Sequence, residues 1–127
     1  MDKVIHFEIP ADNPERAKKF YRDIFGWEFN EAEGEMEYSL IKTVAVDKRN
    51  LPLESGAING GLTKRMSKSE APVIVIDVLS IDERIKQVLK AGGKVVFPKR
   101  VVMQMGLYAR VTDSEGNVIG LWETIKK

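Results

Sequence analysis

The sequence predicts an α+β fold built from two copies of one βαβββ module. Three observations predict it. Short stretches alternate apolar and polar residues with the period of strands and are separated by turn residues. Two other stretches carry apolar residues at helical spacing and are bracketed by capping residues. The order strand, helix, strand, strand, strand then occurs twice, a repeat of roughly 60 residues that is too long for a solenoid unit and suits a duplicated module.

Residues 3–9, KVIHFEI, read as the first strand, with Ile5, Phe7 and Ile9 on a helix-facing side and Val4, His6 and Glu8 on the other. Pro10 closes it. Asn13 is an N-cap, Pro14 opens a helix over about 14–24, and Ala17, Phe20, Tyr21 and Ile24 form its apolar stripe up to the Gly26 cap. Phe20, Tyr21, Phe25 and Trp27 are expected to pack between helix and sheet. Strands follow at 27–30, 36–47 and 57–62, with EAEGE (31–35) as a turn and KRNLPLESG (48–56) as a mobile loop. TKRMSKSEAP (63–72) has no periodicity and reads as a linker.

The pattern then restarts. VIVIDV (73–78) is a strand, and Ser80 with Glu83 forms a capping box that opens a helix through about Ala91, ended by Gly92-Gly93. KVVF (94–97), LYARVT (107–112) and NVIGLWET (117–124) complete the second module, the last two joined by the DSEGN turn. Met103 and Met105 lie in a loop or fill gaps. A sheet covered by a helix on one side must shelter its other side, so the two open faces are expected to curl around a shared cleft.

All 127 residues fit one domain, with module one at about 3–62, the linker at 63–72 and module two at about 73–125. Lys+Arg number 20 and Asp+Glu 19, a balance that gives no footprint for nucleic acid or an anionic membrane. The absence of cysteine excludes disulfides, thiolate catalysis and zinc–cysteine sites. No apolar run reaches the length of a membrane span and the N-terminus has no signal-peptide pattern, so the expected location is the cytoplasm.

HFEIPADNPERAKKFYRDIFGW, the helix ending AGGKVV and DSEGNVIGLWE together resemble the vicinal oxygen chelate (VOC) superfamily, which contains glyoxalase I, extradiol dioxygenases, methylmalonyl-CoA epimerase and bleomycin-binding proteins. The resemblance implies two βαβββ modules forming a cup-like open barrel, the glyoxalase/bleomycin resistance/dioxygenase fold. It also implies, in metal-dependent members, one ligand on the first strand and one on the last strand of each module. Only His6 matches. AINGGL offers Asn59, Gly60 and Gly61 where a glutamate or histidine is expected, Val73 stands at the counterpart of His6, and Gly120 at the final glutamate. Glu123 falls on the opposite face of a regular strand. A lone imidazole does not hold a catalytic cation, so no cofactor is predicted. A divalent metal held with Glu8, Asp77 or a rotated Glu123 is the alternative.

The open faces carry the candidate site. His6 and Glu8 are the catalytic candidates, the imidazole exchanging protons near neutral pH. Tyr38, Asp77, Tyr108, Arg110 and Trp122 are the ligand-binding candidates, with Arg110 suited to a carboxylate or phosphate. Each also has a plainer reading, as a hydrogen-bonded histidine, a structural ion pair or packed rings. The resulting expectation is a small organic ligand bound without metal, as in bleomycin-resistance proteins, by a homodimer. A lyase, isomerase or dioxygenase with an altered metal site, and a non-catalytic dimerisation module, are the other two readings.

Overall fold

The computed structural model describes residues 1–31 and 38–125. Its elements run β1 (Lys3–Ala11), α1 (Pro14–Phe25), β2 (Glu28–Glu31), β3 (Tyr38–Lys42), β4 (Asn59–Lys64), β5 (Val73–Asp77), α2 (Ile81–Lys90), β6 (Val95–Val102), β7 (Gly106–Thr112) and β8 (Val118–Thr124). The βαβββ order therefore occurs twice, and the fold is α+β. The chain divides into two compact units, a first of residues 6–72 and a second of residues 1–5 with 73–127.

The first unit has strand order β2-β3-β4-β1, with β1 parallel to β4 and the other pairs antiparallel. The second has order β6-β7-β8-β5, with β5 parallel to β8 and the other pairs antiparallel. The two topologies are the same.

Local chemistry fixes both helices. The Asn13 side chain accepts from the Arg16 N–H at 3.1 Å and Pro14 supplies a first-turn φ at no hydrogen-bonding cost. Gly26 ends α1 in the left-handed region at φ 74°, donating to the Arg22 carbonyl. Ser80 Oγ accepts from the Glu83 N–H at 3.2 Å at the start of α2. Each helix covers one sheet face. Ala11, Ile41 and Leu62 form the core of the first unit, with Phe7, Ile9, Ala17, Trp27 and Phe29 against them. Val78, Ile81, Ala109, Val111 and Leu121 form that of the second.

Four expectations need correction. Phe20, Ile24 and Phe25 do not pack between helix and sheet; they are 52%, 57% and 59% exposed. Only Ala17 and Tyr21 of the expected stripe turn inward, with Tyr21 stacked on Trp27 at 4.9 Å, and Lys18 is the buried residue of the helix. Pro10 does not close β1. Pairing with β4 continues through Pro10↔Thr63 and Ala11↔Lys64. The 63–72 segment is tied down rather than free. Thr63 and Lys64 belong to β4, Arg65 donates to Asp12 and to the Glu70 carbonyl, and its own N–H reaches the Ala11 carbonyl. Finally β6 runs past Pro98 to Val102, and β3 ends at Lys42. The expected turn over 31–35 and the start of the 36–47 strand lie mostly outside the described residues.

Met103 and Gln104 form the turn between β6 and β7, closed by Met105 N–H to the Val102 carbonyl at 2.9 Å. Both have positive φ, 50° and 57°, where an L side chain is strained. Replacing them together by Asn-Gly, the pair that hairpin turns of this hand favour, should stabilise the protein by about 1–2 kcal/mol. A higher melting temperature in a thermal scan is the expected result; an unchanged or lower one would show that the two side chains compensate their own strain.

Candidate functional site

The side of the first unit's sheet away from α1 carries His6, Glu8 and Tyr38. His6 lies opposite Asn59, and Glu8 opposite Gly61, in the β1–β4 register. Tyr38 lies one diagonal away, since Leu40 is the residue opposite Gly61 on β3. Aromatic side chains reach such diagonal neighbours. The Tyr38 ring crosses above Gly61, so that a Cβ there would overlap the phenol oxygen, and the hydroxyl hydrogen-bonds His6 Nε2 at 2.9 Å. Asn59 is engaged with the chain beyond β3. Its carboxamide oxygen accepts from the Thr43 N–H at 2.8 Å and fixes the chain leaving β3. Glu8 is buried at 6% exposure.

The second unit repeats the arrangement. Gly120 lies opposite Arg110 on β7 and Val75 on β5, and Tyr108 is the diagonal residue. A Cβ on Gly120 would meet the Tyr108 hydroxyl at 3.0 Å and Val75 Cγ2 at 3.1 Å. The Tyr108 hydroxyl accepts from Arg110 Nε at 2.7 Å. Trp122 lies opposite Tyr108 and, on β5, opposite Asp77. Equivalent strand positions therefore pair Tyr38 with Tyr108 and Gly61 with Gly120. Of the seven candidates, His6, Glu8 and Tyr38 share one face in the first unit, and Asp77, Tyr108, Arg110 and Trp122 share one in the second.

Glu123 points to the helix side, where its carboxylate accepts from the Ile81 N–H at 2.8 Å as an extra cap on α2. It is thereby committed to the fold. The donor set does not fit the metal the resemblance implies: the four family positions hold His6, Gly61, Val73 and Gly120, and among the described residues no three of His, Cys, Asp or Glu cluster to hold a cation.

A depression of about 270 Å³ lies on the α1 side instead, lined by Pro14, Glu15, Lys18, Glu31, Ser39 and Leu62. Lys18 is bridged there to Glu15 and Glu31. Desolvation draws the ammonium pKa down, but the hydrogen bonds to Glu31 and Glu15 outweigh it and hold the pKa above the ordinary lysine value. These contacts are a structural network, and none of the candidate residues lines it.

Burial lowers the His6 pKa below its ordinary 6.5, against an opposing pull from Glu8. The imidazole is thus neutral at neutral pH. The unfolded chain takes up a proton near pH 6.5 while the folded one does not, so this residue makes stability fall as pH drops below that value. Melting temperatures between pH 7 and pH 5 should decline in the parent and decline less steeply in His6→Gln. Parallel slopes would show that His6 is not a buried neutral group. The strongly held carboxylates of Asp2, Asp47 and Asp113 are all lowered from 3.8 and titrate below this window.

Comparison with known proteins agrees with this fold. Residues 3–43 match the family model described as bleomycin resistance protein-like N-terminal. A glyoxylase-like domain-containing protein of Didymella fabae is 36% identical over 88 residues, 68% of this chain and 66% of that protein. The chain spans 43% of a glyoxylase-type relative from Mycobacterium bovis. Among solved structures, Streptomyces coelicolor methylmalonyl-CoA epimerase, in complex with 2-nitronate-propionyl-CoA, superposes with TM-score 0.68 at 14% identity over 98% of both chains. A glyoxalase/bleomycin resistance protein/dioxygenase superfamily member from Vibrio splendidus does so with TM-score 0.65 at 13% identity, over 98% of this chain and 100% of its own. With a duplicated βαβββ order, matched sheet topologies and these relatives, the chain belongs to the glyoxalase/bleomycin resistance protein/dioxygenase, or VOC, superfamily.

Proposed function

We propose that this protein binds a small organic molecule on the helix-free faces of its sheets, and that it does so without the superfamily's metal. One observation carries the reading. At the last-strand position where the family places a metal-binding side chain, both modules hold a glycine, and a tyrosine lies over each. His6 Nε2 is engaged by the Tyr38 hydroxyl. The polar groups on these faces, a neutral imidazole, two phenols, an arginine, an indole and the carboxylates of Glu8 and Asp77, suit an organic-ligand site: aromatic walls with a few directed hydrogen bonds.

A second reading rests on the His6–Tyr38 contact itself. A neutral imidazole bonded to a phenol can take a proton from a substrate and exchange it through the hydroxyl. In that case the protein is an isomerase- or lyase-type enzyme, with His6 as base and Glu8 as the buried charge beside it. Resemblance in fold to an epimerase agrees with this reading but does not carry it.

Both readings meet the same experiment. Protein purified without chelator is analysed for metals, then screened against neutral and charged small molecules by native mass spectrometry, with and without deuterated solvent. Substoichiometric metal, a retained ligand and no deuterium uptake are expected. Tyr38→Phe should weaken binding roughly 5–10-fold, the loss of one hydrogen bond. Deuterium incorporated into a bound carbonyl compound and abolished by His6→Gln would replace the first reading by the second. A stoichiometric ion removed by chelator together with binding would end the metal-free proposal.

We further propose a homodimer, supported by the exposed Phe20, Ile24 and Phe25 side chains gathered at the C-terminal end of α1. In sedimentation equilibrium the parent should run as a dimer and Phe20→Ser/Phe25→Ser as a monomer. A monomeric parent would remove the proposal.

A further inference from the structure

Strand β6 slips register against β7 twice. Val95 lies opposite Val111, Phe97 opposite Arg110 and Arg100 opposite Tyr108. Two steps along β6 thus match one step on β7, and the next three steps match two. In an unbroken strand Val95 and Phe97 would share a face, and Phe97 and Arg100 would point to opposite faces. The irregularities reverse both relations. Val95 is left opposite Val111 of the helix-side core, while Phe97 and Arg100 both turn to the side of Tyr108 and Arg110. Lys99, between them, reaches Asp82 on α2 at 2.9 Å on the other side. Bulges re-aim side chains in this way, and they concentrate beside binding sites.

The result is one connected group. The Arg100 guanidinium sits 4.5 Å above the Phe97 ring. Phe97 meets Tyr108 edge to face, with centroids 6.4 Å apart at 61°. The Tyr108 hydroxyl accepts from Arg110 Nε, and the Arg110 guanidinium lies 5.8 Å from the Tyr108 ring. Two permanent positive charges are therefore joined by two rings, with Trp122 next in the sheet beyond Tyr108. Stacking orients one guanidinium and the phenol orients the other, so little of their freedom remains to be lost when a ligand binds. Asp77 lies opposite Trp122 on β5, with β8 and β7 between it and β6.

We infer that this β6–β7 face binds a planar organic anion, its carboxylate or phosphate received by Arg100 and Arg110 and its flat body lying against Phe97, Tyr108 and Trp122. The inference rests on the proposed small-molecule role and adds the charge and shape of the ligand. Guanidinium groups bind such oxyanions by paired, charge-assisted hydrogen bonds, and tilted aromatic rings favour a flat partner.

The test is a calorimetric titration of the intact protein with benzoate, phenyl phosphate, benzamide and cyclohexanecarboxylate. One of the two aromatic anions should bind about tenfold more tightly than neutral benzamide or the saturated acid, a difference of about 1.4 kcal/mol. The tighter of benzoate and phenyl phosphate identifies the head group. Arg100→Gln and Arg110→Gln should each lower its affinity about tenfold, while Arg49→Gln, in the exposed 48–56 loop, should not. Benzamide binding as well as the anions, or arginine variants that bind unchanged, would overturn the inference and leave a neutral-ligand protein. Binding of none of the four, together with an empty broader screen, would bring down the small-molecule reading and this inference with it. The anion-to-amide comparison uses the parent protein alone, so a misfolded variant does not blunt it.

Discussion

The site depends on one steric relation: a glycine on the last strand of a module and a tyrosine two residues along from its cross-strand neighbour. Sheet twist brings diagonal residues on one face close enough for a long ring to cover the gap. Over Gly61 the Tyr38 phenol fills the place a side chain would take. Its hydroxyl then reaches Nε2 of the His6 imidazole. Filling the gap and engaging the histidine are the same event. The hydrogen bond made by the chain's only histidine thus depends on the missing Cβ of a residue on another strand.

The second unit applies the same relation to a different partner. Tyr108 above Gly120 engages Arg110, which carries its charge at every accessible pH, whereas Tyr38 engages an imidazole kept neutral by burial. Duplication thus supplies two equivalent frames with unlike side chains, an imidazole under the tyrosine of one and a guanidinium under that of the other. A symmetric metal site needs like donors from both modules.

Much of this was legible in the sequence, for physical reasons that differ by element. Helix ends were readable because Asn13, Pro14, Gly26 and Ser80 act locally, and all four cap as their chemistry requires. Face assignment along β1, β7 and β8 followed from strict alternation, which holds where the register is unbroken. Phe97 and Arg100 escaped notice because their common face is made by two register slips, and Pro98 between them reads as the end of a strand. The exposure of Phe20 and Phe25 was equally hidden. An apolar helix stripe reports that a surface prefers burial, not that this chain's own sheet is wide enough to bury it. The glycines could be seen, but not the tyrosines above them: a diagonal contact belongs to the register, which a single strand's pattern does not contain.

The two glycines are not equally open to change, and the difference bears on how firmly each unit holds its present chemistry. At Gly120 an added Cβ would sit about as far from Tyr108 and Val75 as a tight but attainable contact allows, so a Cβ there needs its neighbours to give by a few tenths of an ångström. At Gly61 the same atom would fall on the phenol of Tyr38, and the ring would have to leave, breaking its bond to His6. A carboxylate introduced at Gly61 alone therefore disrupts the histidine before it can share a ligand with it. Meanwhile the largest fully buried side chains, Ile41, Leu62, Val75, Ile81 and Val111, include four from the helix-side cores. Packing cost falls mainly on that side, and the opposite faces can change residues more cheaply. Within that freedom a side chain at Gly61 must first displace Tyr38 from His6, whereas a Cβ at Gly120 meets Tyr108 and Val75 at tight contact distances and leaves the His6 bond untouched.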